Sequence, residues 1–143
     1  MKTKLLLVED DDAVHCALAE VLQEEGYDLV HAYGTADAIL ATQLNEEIRL
    51  VLLDLKLCGE NGWNLFERLR KTNPVLPIII ITARSDQRAL AEAVGVVALM
   101  EKPLNIPTLL ELIAQLIAER TGRLTVHAPH ALYSHPGEPC GKP

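Results

Sequence analysis

Aromatic residues are scarce in this sequence of 143 residues, which contains one Trp, one Phe and three Tyr. A hydrophobic core must therefore be built from Leu, Ile, Val and Ala. Hydrophobic residues make up 49% of the chain and charged residues 23%, a balance typical of globular proteins. The length fits a single domain that is large enough to bury a core.

Cysteines and long apolar runs are also few. The three cysteines include no C-x-x-C pair, so a disulfide framework or zinc site is not indicated and free thiols are expected. The apolar stretch at residues 5–8 is shorter than the roughly 7–15 residues of a signal-peptide core. No apolar run approaches the roughly 18–20 residues of a membrane span. The sequence therefore predicts a cytoplasmic protein without a membrane partner.

Positive charge is in deficit, because 13 Lys and Arg stand against 20 Asp and Glu, for a net charge of −7. This balance argues against direct binding to nucleic acid or to an anionic membrane, since their phosphate groups would be repelled. It favours a bound cation or a cationic partner.

Short apolar runs without alternation predict strands that are buried on both faces, as in a parallel sheet covered by helices. The three clearest runs are "LLLV" at 5–8, "LVLLDL" at 50–55 and "PIIIIT" at 77–82. Two weaker candidates are "YDLVHAY" at 27–33 and "GVVALM" at 95–100.

Segments with helical periodicity separate these runs. The first apolar stripe ends near Gly26 and consists of Val14, Ala17, Leu18, Val21 and Leu22. The last stripe follows Asn105, its expected N-cap, and consists of Leu109, Leu112, Ile113 and Leu116. Shorter helices are predicted at 35–44, where Thr35 is the expected cap, at 62–72 and at 86–94.

The alternation of five strands with five helices predicts an α/β fold, a doubly wound and mostly parallel sheet with helices on both faces. We expect this domain to span residues 1–121. A flexible tail rich in Pro and Gly is predicted at 122–143. In such folds the functional crevice lies outside the carboxyl ends of the strands.

Polar residues stand at four of these strand ends. Glu9 and Asp10 follow the first strand, Asp54 lies near the end of the third, Thr82 ends the fourth and Lys102 follows the fifth. Clustered carboxylates can bind Mg²⁺, whereas a hydroxyl and an ammonium group can bind phosphoryl oxygens. This set predicts phosphoryl transfer to a carboxylate, with Asp54 as the nucleophile.

Four motifs in this order resemble the receiver domain of bacterial two-component response regulators. They are "LLLVEDDDAV", "VLLDLKLCGENGWNL", "IIIITARSD" and "LMEKPL", and the resemblance covers about residues 3–120. It implies a flavodoxin-like fold, a five-stranded parallel sheet of order 2-1-3-4-5 flanked by five helices.

The resemblance also implies a magnesium site. Asp54 would be the phosphoacceptor, Asp10 a direct metal ligand, and Glu9 a ligand that acts mostly through water. The backbone carbonyl of Lys56 would be the third protein ligand. Asp11 and Asp12 are interpreted instead as the start of the first helix, where acids are favourable.

The remaining motif residues are assigned to the phosphoryl group. Thr82 resembles the switch hydroxyl, Ala83 the small residue that leaves access to the site, and Lys102 the phosphate-binding lysine. The Lys102–Pro103 peptide resembles the cis bond of the family. No organic cofactor is expected.

Two features depart from the family pattern. Leu99 stands where an aromatic residue or His usually moves inward on activation, so we expect a weaker switch or one transmitted by the backbone. Lys56 and Arg84 stand at positions that often tune the lifetime of the phosphoryl group. Neither carries an amide or carboxylate that could align an attacking water, so slow hydrolysis is expected.

The resemblance therefore implies a phosphorylation-dependent signalling switch rather than an enzyme. A sensor histidine kinase or a histidine phosphotransfer protein would donate the phosphoryl group. The surface around the fourth helix, fifth strand and fifth helix would then engage a target protein. The family pattern also allows a phosphorylation-linked homodimer.

Three alternatives stay open. One is a pseudo-receiver, an interaction module that needs no phosphate, which Leu99 mildly favours. Another is a phosphatase with an Asp nucleophile, which is disfavoured because Lys56 stands where such enzymes carry a second Asp. The last is the receiver fragment of a DNA-binding regulator. His15 and His31 are interpreted as ordinary surface or partly buried side chains.

Overall fold

The computed structural model describes residues 2–57, 60–83, 95–96 and 98–122. The chain divides into two compact units, Met1–Pro77 and Ile78–Pro143. The principal sheet is parallel, and its five strands lie in the order Asp28–Ala32 (β2), Lys4–Val8 (β1), Ile48–Asp54 (β3), Ile78–Thr82 (β6) and Ala98–Glu101 (β7). With only these five strands counted, this is the predicted order 2-1-3-4-5.

Three strands form the sheet of the first unit. The middle one of these three, β1 (Lys4–Val8), pairs in parallel with β2 (Asp28–Ala32) on one side and β3 (Ile48–Asp54) on the other. The side chains of β1 at 5–8 are almost fully buried. Burial of each such Leu or Val contributes about 1.5–3 kcal/mol, which explains why a run without alternation forms the central strand.

Three helices belong to this unit: α1 (Asp12–Glu24), α2 (Thr35–Leu44) and α3 (Gly62–Thr72). The bounds of α2 and α3 are those predicted. The prediction of Thr35 as a cap is wrong by one position, because Gly34 is the N-cap residue of α2. Gly26 follows α1 with a positive φ of 98°, a conformation that glycine adopts without steric cost.

The buried face of α1 differs from the predicted stripe. Its buried residues are His15, Leu18, Ala19 and Leu22. The predicted members Val14 and Val21 are only half-buried, and Ala17 is exposed. The true face has the same helical spacing but is rotated so that it includes a histidine, which a search for apolar residues alone does not select.

A short antiparallel hairpin that the sequence did not predict follows β3. It consists of β4 (Lys56–Leu57) and β5 (Glu60–Asn61), which lead directly into α3. The Gly62 N–H donates to the Leu55 carbonyl at 3.0 Å. A Cβ atom at position 62 would lie 2.6 Å from both the Cα and the carbonyl oxygen of Leu55. The first residue of α3 must therefore be glycine for the backbones to approach this closely.

The described part of the second unit contains two parallel strands and a helix. Strand β6 (Ile78–Thr82) pairs with β7 (Ala98–Glu101), and all five side chains of β6 are buried. Helix α4 (Ile106–Gly122) begins after Asn105, whose side chain accepts the Thr108 N–H at 3.0 Å as predicted. The predicted stripe of this helix is buried.

Several predictions fall outside the described residues. These are the helix at 86–94, the residue Arg84 and the tail from residue 123 onward. The described ranges contain four helices rather than the predicted five. The boundary at 121/122 stays a prediction. Within the described part of the chain, no helix has the length and apolar character needed to cross a membrane.

The Gly62 contact generates a stability prediction. Gly62→Ala should lower the free energy of unfolding by about 1–3 kcal/mol, because the added methyl group would overlap the Leu55 backbone. Denaturation in urea measures this change. Gly26→Ala is the control, since a Cβ there meets open space and only backbone strain of about 1–2 kcal/mol is added. A loss below about 0.5 kcal/mol for Gly62→Ala would show that Leu55 can move aside.

Candidate functional site

Three carboxylates meet in the first unit. Glu9 directly follows β1, Asp10 comes next, and Asp54 is the last residue of β3. One carboxylate oxygen from each lies within 4.8 Å of those of the other two. Glu9 is only 1% exposed and Asp54 only 3%, whereas Asp10 is half-buried. The parallel pairing of β1 and β3 brings these carboxyl ends together, as the sequence predicted.

Hydrogen bonds to the backbone orient two of these carboxylates. The Asp54 Oδ1 atom accepts the Lys56 N–H at 3.2 Å, which keeps the Lys56 backbone next to the cluster. The Glu9 Oε2 atom accepts the Asp11 N–H at 3.2 Å. In both contacts the donor is a backbone N–H group and not a flexible side chain.

The acidic run divides into two parts with different roles. Asp11 is the N-cap of α1, and its Oδ1 atom accepts the Val14 N–H at 3.1 Å. Asp12 is in the first turn of the helix, and both residues are exposed. Among the residues that the structure describes, the metal-compatible group consists of Glu9, Asp10 and Asp54. The interpretation of Asp11 and Asp12 as the start of a helix is confirmed.

The carboxylate cluster fits a hard divalent cation. Mg²⁺ prefers oxygen ligands and usually binds to one or two protein carboxylates while it keeps several waters. Three carboxylates this close repel one another, and a cation at their centre would remove that repulsion. The ligand set therefore suits Mg²⁺ better than zinc, which favours nitrogen and sulfur.

The second unit carries two more predicted site residues at the carboxyl ends of its strands. Thr82 is the buried last residue of β6, and Lys102 is half-buried directly after β7. The Lys102 N–H donates to the Thr82 carbonyl at 2.8 Å, so the backbone holds these two residues together. Ala83 is exposed, and the peptide bond between Lys102 and Pro103 is cis as expected.

Leu99 is fully buried in β7, opposite Ile80 of β6. An apolar side chain in this position is packed inside the unit. The effect of this packing on the switch stays a prediction.

The sequence analysis did not identify a group of histidine and tyrosine side chains that contacts the backbone of Glu9. His15 is only 2% exposed, so its interpretation as a surface or partly buried residue is wrong. Its ring stacks on Tyr33 with the centroids 4.3 Å apart. Its Nε2 atom lies 2.8 Å from His31 Nδ1, and its Nδ1 atom lies 2.9 Å from the Glu9 carbonyl oxygen. Burial, and then the charge of His15, lowers the pKa of His31 below its ordinary value of 6.5.

Comparisons with known proteins show which family the chain resembles. A family model described as "Response regulator receiver domain" matches residues 5–114. The response regulator protein FleR of Pseudomonas aeruginosa is 34% identical over 117 residues, which are 80% of this chain and 24% of FleR. The chain spans about a quarter of the length of such curated relatives.

Solved structures show the same fold. A CheY-like receiver domain from Methanospirillum hungatei matches with a TM-score of 0.75 and 29% identity, over 85% of this chain and 98% of that one. The response regulator TrrA of Thermotoga maritima matches with a TM-score of 0.74 and 29% identity, over 81% of this chain and 99% of that one. The TrrA structure is a complex with Mg²⁺-BeF.

The carboxylate cluster generates a prediction about charge. Asp10→Asn should raise the free energy of unfolding without metal by about 1 kcal/mol, because one of three repelling charges is removed. The same variant should lose most of the stabilisation that Mg²⁺ gives the original protein. Thermal unfolding with and without Mg²⁺ measures both effects.

The matched control is Asp12→Asn, which makes the same chemical change outside the cluster. It should lose a few tenths of a kcal/mol of helix stability and keep its response to Mg²⁺. An Asp10→Asn variant that is less stable than the original protein and responds normally to Mg²⁺ would contradict the site.

Proposed function

This chain belongs to the response regulator receiver domain family, and we propose that it is a signalling switch in which Asp54 accepts a phosphoryl group. The observation that carries the proposal is the meeting of Glu9, Asp10 and Asp54 at the ends of adjacent parallel strands. A lone buried acid would be costly, whereas a cluster that suits Mg²⁺ can be kept ionised and reactive.

The proposed reaction is a transfer between a phosphohistidine and a carboxylate. An Asp54 carboxylate oxygen attacks phosphorus, an O–P bond forms, and the N–P bond of the donor histidine breaks. The released imidazole takes up a proton. The hydrogen bond from the Lys56 N–H orients the Asp54 carboxylate before attack. Bound Mg²⁺ would supply positive charge that offsets the negative charge of the incoming group.

Glu9, Asp10 and the carbonyl of Lys56 are the proposed protein ligands of the metal, together with Asp54. Thr82 and Lys102 are the proposed partners of the phosphoryl oxygens, because a hydroxyl and an ammonium group can donate to them. Their backbone hydrogen bond means that movement at Thr82 would be transmitted to the segment at Lys102.

The proposed partners are a sensor histidine kinase or a histidine phosphotransfer protein as donor, and a target protein that binds the altered surface. Leu99 lacks the aromatic ring of the usual switch, so we propose that backbone movement in β6 and β7 carries the signal. A cytoplasmic location is part of the same proposal.

A second candidate function is the receiver part of a longer DNA-binding regulator. The observation in its favour is that the chain matches only a part of such a regulator. ZraR of Salmonella typhimurium, a transcriptional regulatory protein, is matched over 26% of its length. In this case Asp54 would perform the same chemistry, and nucleic acid would be bound by another part of the protein.

Acetyl phosphate tests the phosphoacceptor directly. Incubation with acetyl phosphate and Mg²⁺, followed by intact mass measurement, should show the addition of one phosphoryl group. Asp54→Asn should abolish this addition, because an amide is not nucleophilic enough to react. Asp12→Asn, an exposed acid outside the cluster, should be labelled like the original protein.

Three results would contradict the proposal. Labelling that persists in Asp54→Asn would place the phosphoryl group elsewhere. Labelling that is lost in Asp12→Asn would show that the assay responds to the loss of any acidic residue and not to Asp54 in particular. No labelling of the original protein, under conditions that modify another receiver, would favour the pseudo-receiver alternative.

The cationic side chain of Lys56 generates a prediction about lifetime. The aspartyl phosphate of the purified protein should persist for much longer than seconds, because Lys56 cannot align an attacking water. Lys56→Asn introduces an amide and should shorten the lifetime. Lys71→Asn, at an exposed position of α3, is the matched control and should leave it unchanged. Phosphate release after removal of acetyl phosphate measures the rate, and a lifetime of seconds in the original protein would refute the prediction.

A further inference from the structure

The peptide group that joins Glu9 to Asp10 is held by a side chain from α1. Its carbonyl oxygen, that of Glu9, lies 2.9 Å from the Nδ1 atom of His15, which is buried. A peptide unit is planar, so a bond that fixes its oxygen fixes the orientation of the whole plane. The directions in which the Glu9 and Asp10 side chains leave the backbone depend on that plane.

The neighbouring peptide groups are held as well. The Glu9 N–H donates to the carbonyl of Ala32, at the end of β2, at 3.1 Å. The Asp11 N–H donates to the Glu9 carboxylate at 3.2 Å. Three consecutive peptide units around the acidic pair therefore have fixed partners. Of these three partners, His15 is the one side chain that lies outside the acidic pair.

The hydrogen-bond pattern determines the tautomer of His15. A carbonyl oxygen only accepts, so the Nδ1 atom of His15 must carry hydrogen. When both rings are neutral, the Nε2 atom of His15 then accepts the Nδ1–H of His31 at 2.8 Å. His31 thus holds His15 in the tautomer that can donate to Glu9. Tyr33 stacks on the His15 ring and keeps its plane in place.

We propose that His15 is a positioning residue for the magnesium site, and that His31 and Tyr33 hold its ring in the donating orientation. The proposal rests on the proposed function, since it assumes that Glu9 and Asp10 bind Mg²⁺. Groups that orient metal ligands typically change metal affinity by 10–100-fold when they are removed. His15 orients the proposed ligands by holding the peptide group that joins Glu9 to Asp10.

A simpler interpretation is that His15 only fills space and satisfies a buried carbonyl. The two roles can be separated because they need different parts of the side chain. Positioning needs the N–H donor at the Nδ1 position, whereas packing needs the bulk of the ring against Tyr33. Asn provides the donor without the bulk, and Leu provides bulk without the donor.

The experiment compares His15→Asn with His15→Leu in the full chain. Isothermal titration calorimetry with Mg²⁺ alone measures affinity, and thermal unfolding without metal measures packing. His15→Leu should lower Mg²⁺ affinity by about tenfold. Without metal, it should be more stable in thermal unfolding than His15→Asn. His15→Asn should bind Mg²⁺ within about threefold of the original protein although it loses more stability. Cys16→Ala, at an exposed neighbouring position of α1, should change neither property.

His31→Leu is the second test, because His31 is exposed and its replacement should not prevent folding. It removes the group that fixes the tautomer of His15, so Mg²⁺ affinity should fall, by less than in His15→Leu. If His15→Leu does not fold, this variant decides the question alone.

Two outcomes would overturn the inference without affecting the proposed function. One is normal Mg²⁺ affinity in folded His15→Leu or, if that variant does not fold, in His31→Leu. The other is an equal loss of affinity in His15→Asn and His15→Leu, which would indicate packing only. A failure of the original protein to bind Mg²⁺ would overturn both proposals. Mg²⁺ binding without labelling of Asp54 would leave the role of His15 intact and reject the phosphoacceptor.

Discussion

The repulsion between three carboxylates is the constraint on which the first unit depends. Glu9, Asp10 and Asp54 are held together because parallel strands place their carboxyl ends side by side, and the buried residues of β1 and β3 fix the strands. The hydrophobic core thus supplies the free energy that keeps like charges close. A site of this kind is stable only when its scaffold is rigid, which agrees with the backbone hydrogen bonds to the Glu9 and Asp54 carboxylates.

Most of the fold could be predicted from the sequence because its local signals agree with one another. The strands are short apolar runs, and α2 and α3 occupy the predicted ranges. The buried face of α1 was misplaced because hydrophobicity alone was counted, and His15 is buried through hydrogen bonds and stacking. These contacts join α1 to residues outside it, 6 and 18 positions away from His15, so helical periodicity could not reveal them. The hairpin after β3 was missed because its strands have two residues each.

The candidate site was predicted in part from chemistry and in part from resemblance. Carboxylates at the ends of buried strands indicate a cation site without knowledge of any family. The individual roles of Thr82, Ala83 and Lys102 come from the motifs, since many strands end in a polar residue. Neither the chemistry nor the motifs could predict the hydrogen bond that supports the site, because it depends on which side chain of α1 reaches the Glu9 carbonyl.

The contact between Gly62 and Leu55 also links the position of α3 to the backbone beside Asp54. Leu55 directly follows Asp54, and Gly62 is the first of the 11 residues of α3, so the helix begins in close backbone contact with the residue after Asp54. At 1.5 Å per residue this helix is about 16 Å long. A tilt of the helix by about 5° about its first residue would move its far end by about 1.4 Å. A small adjustment of the backbone beside Asp54 would thus produce a larger displacement at the C-terminal end of α3. A partner that binds there would detect this displacement.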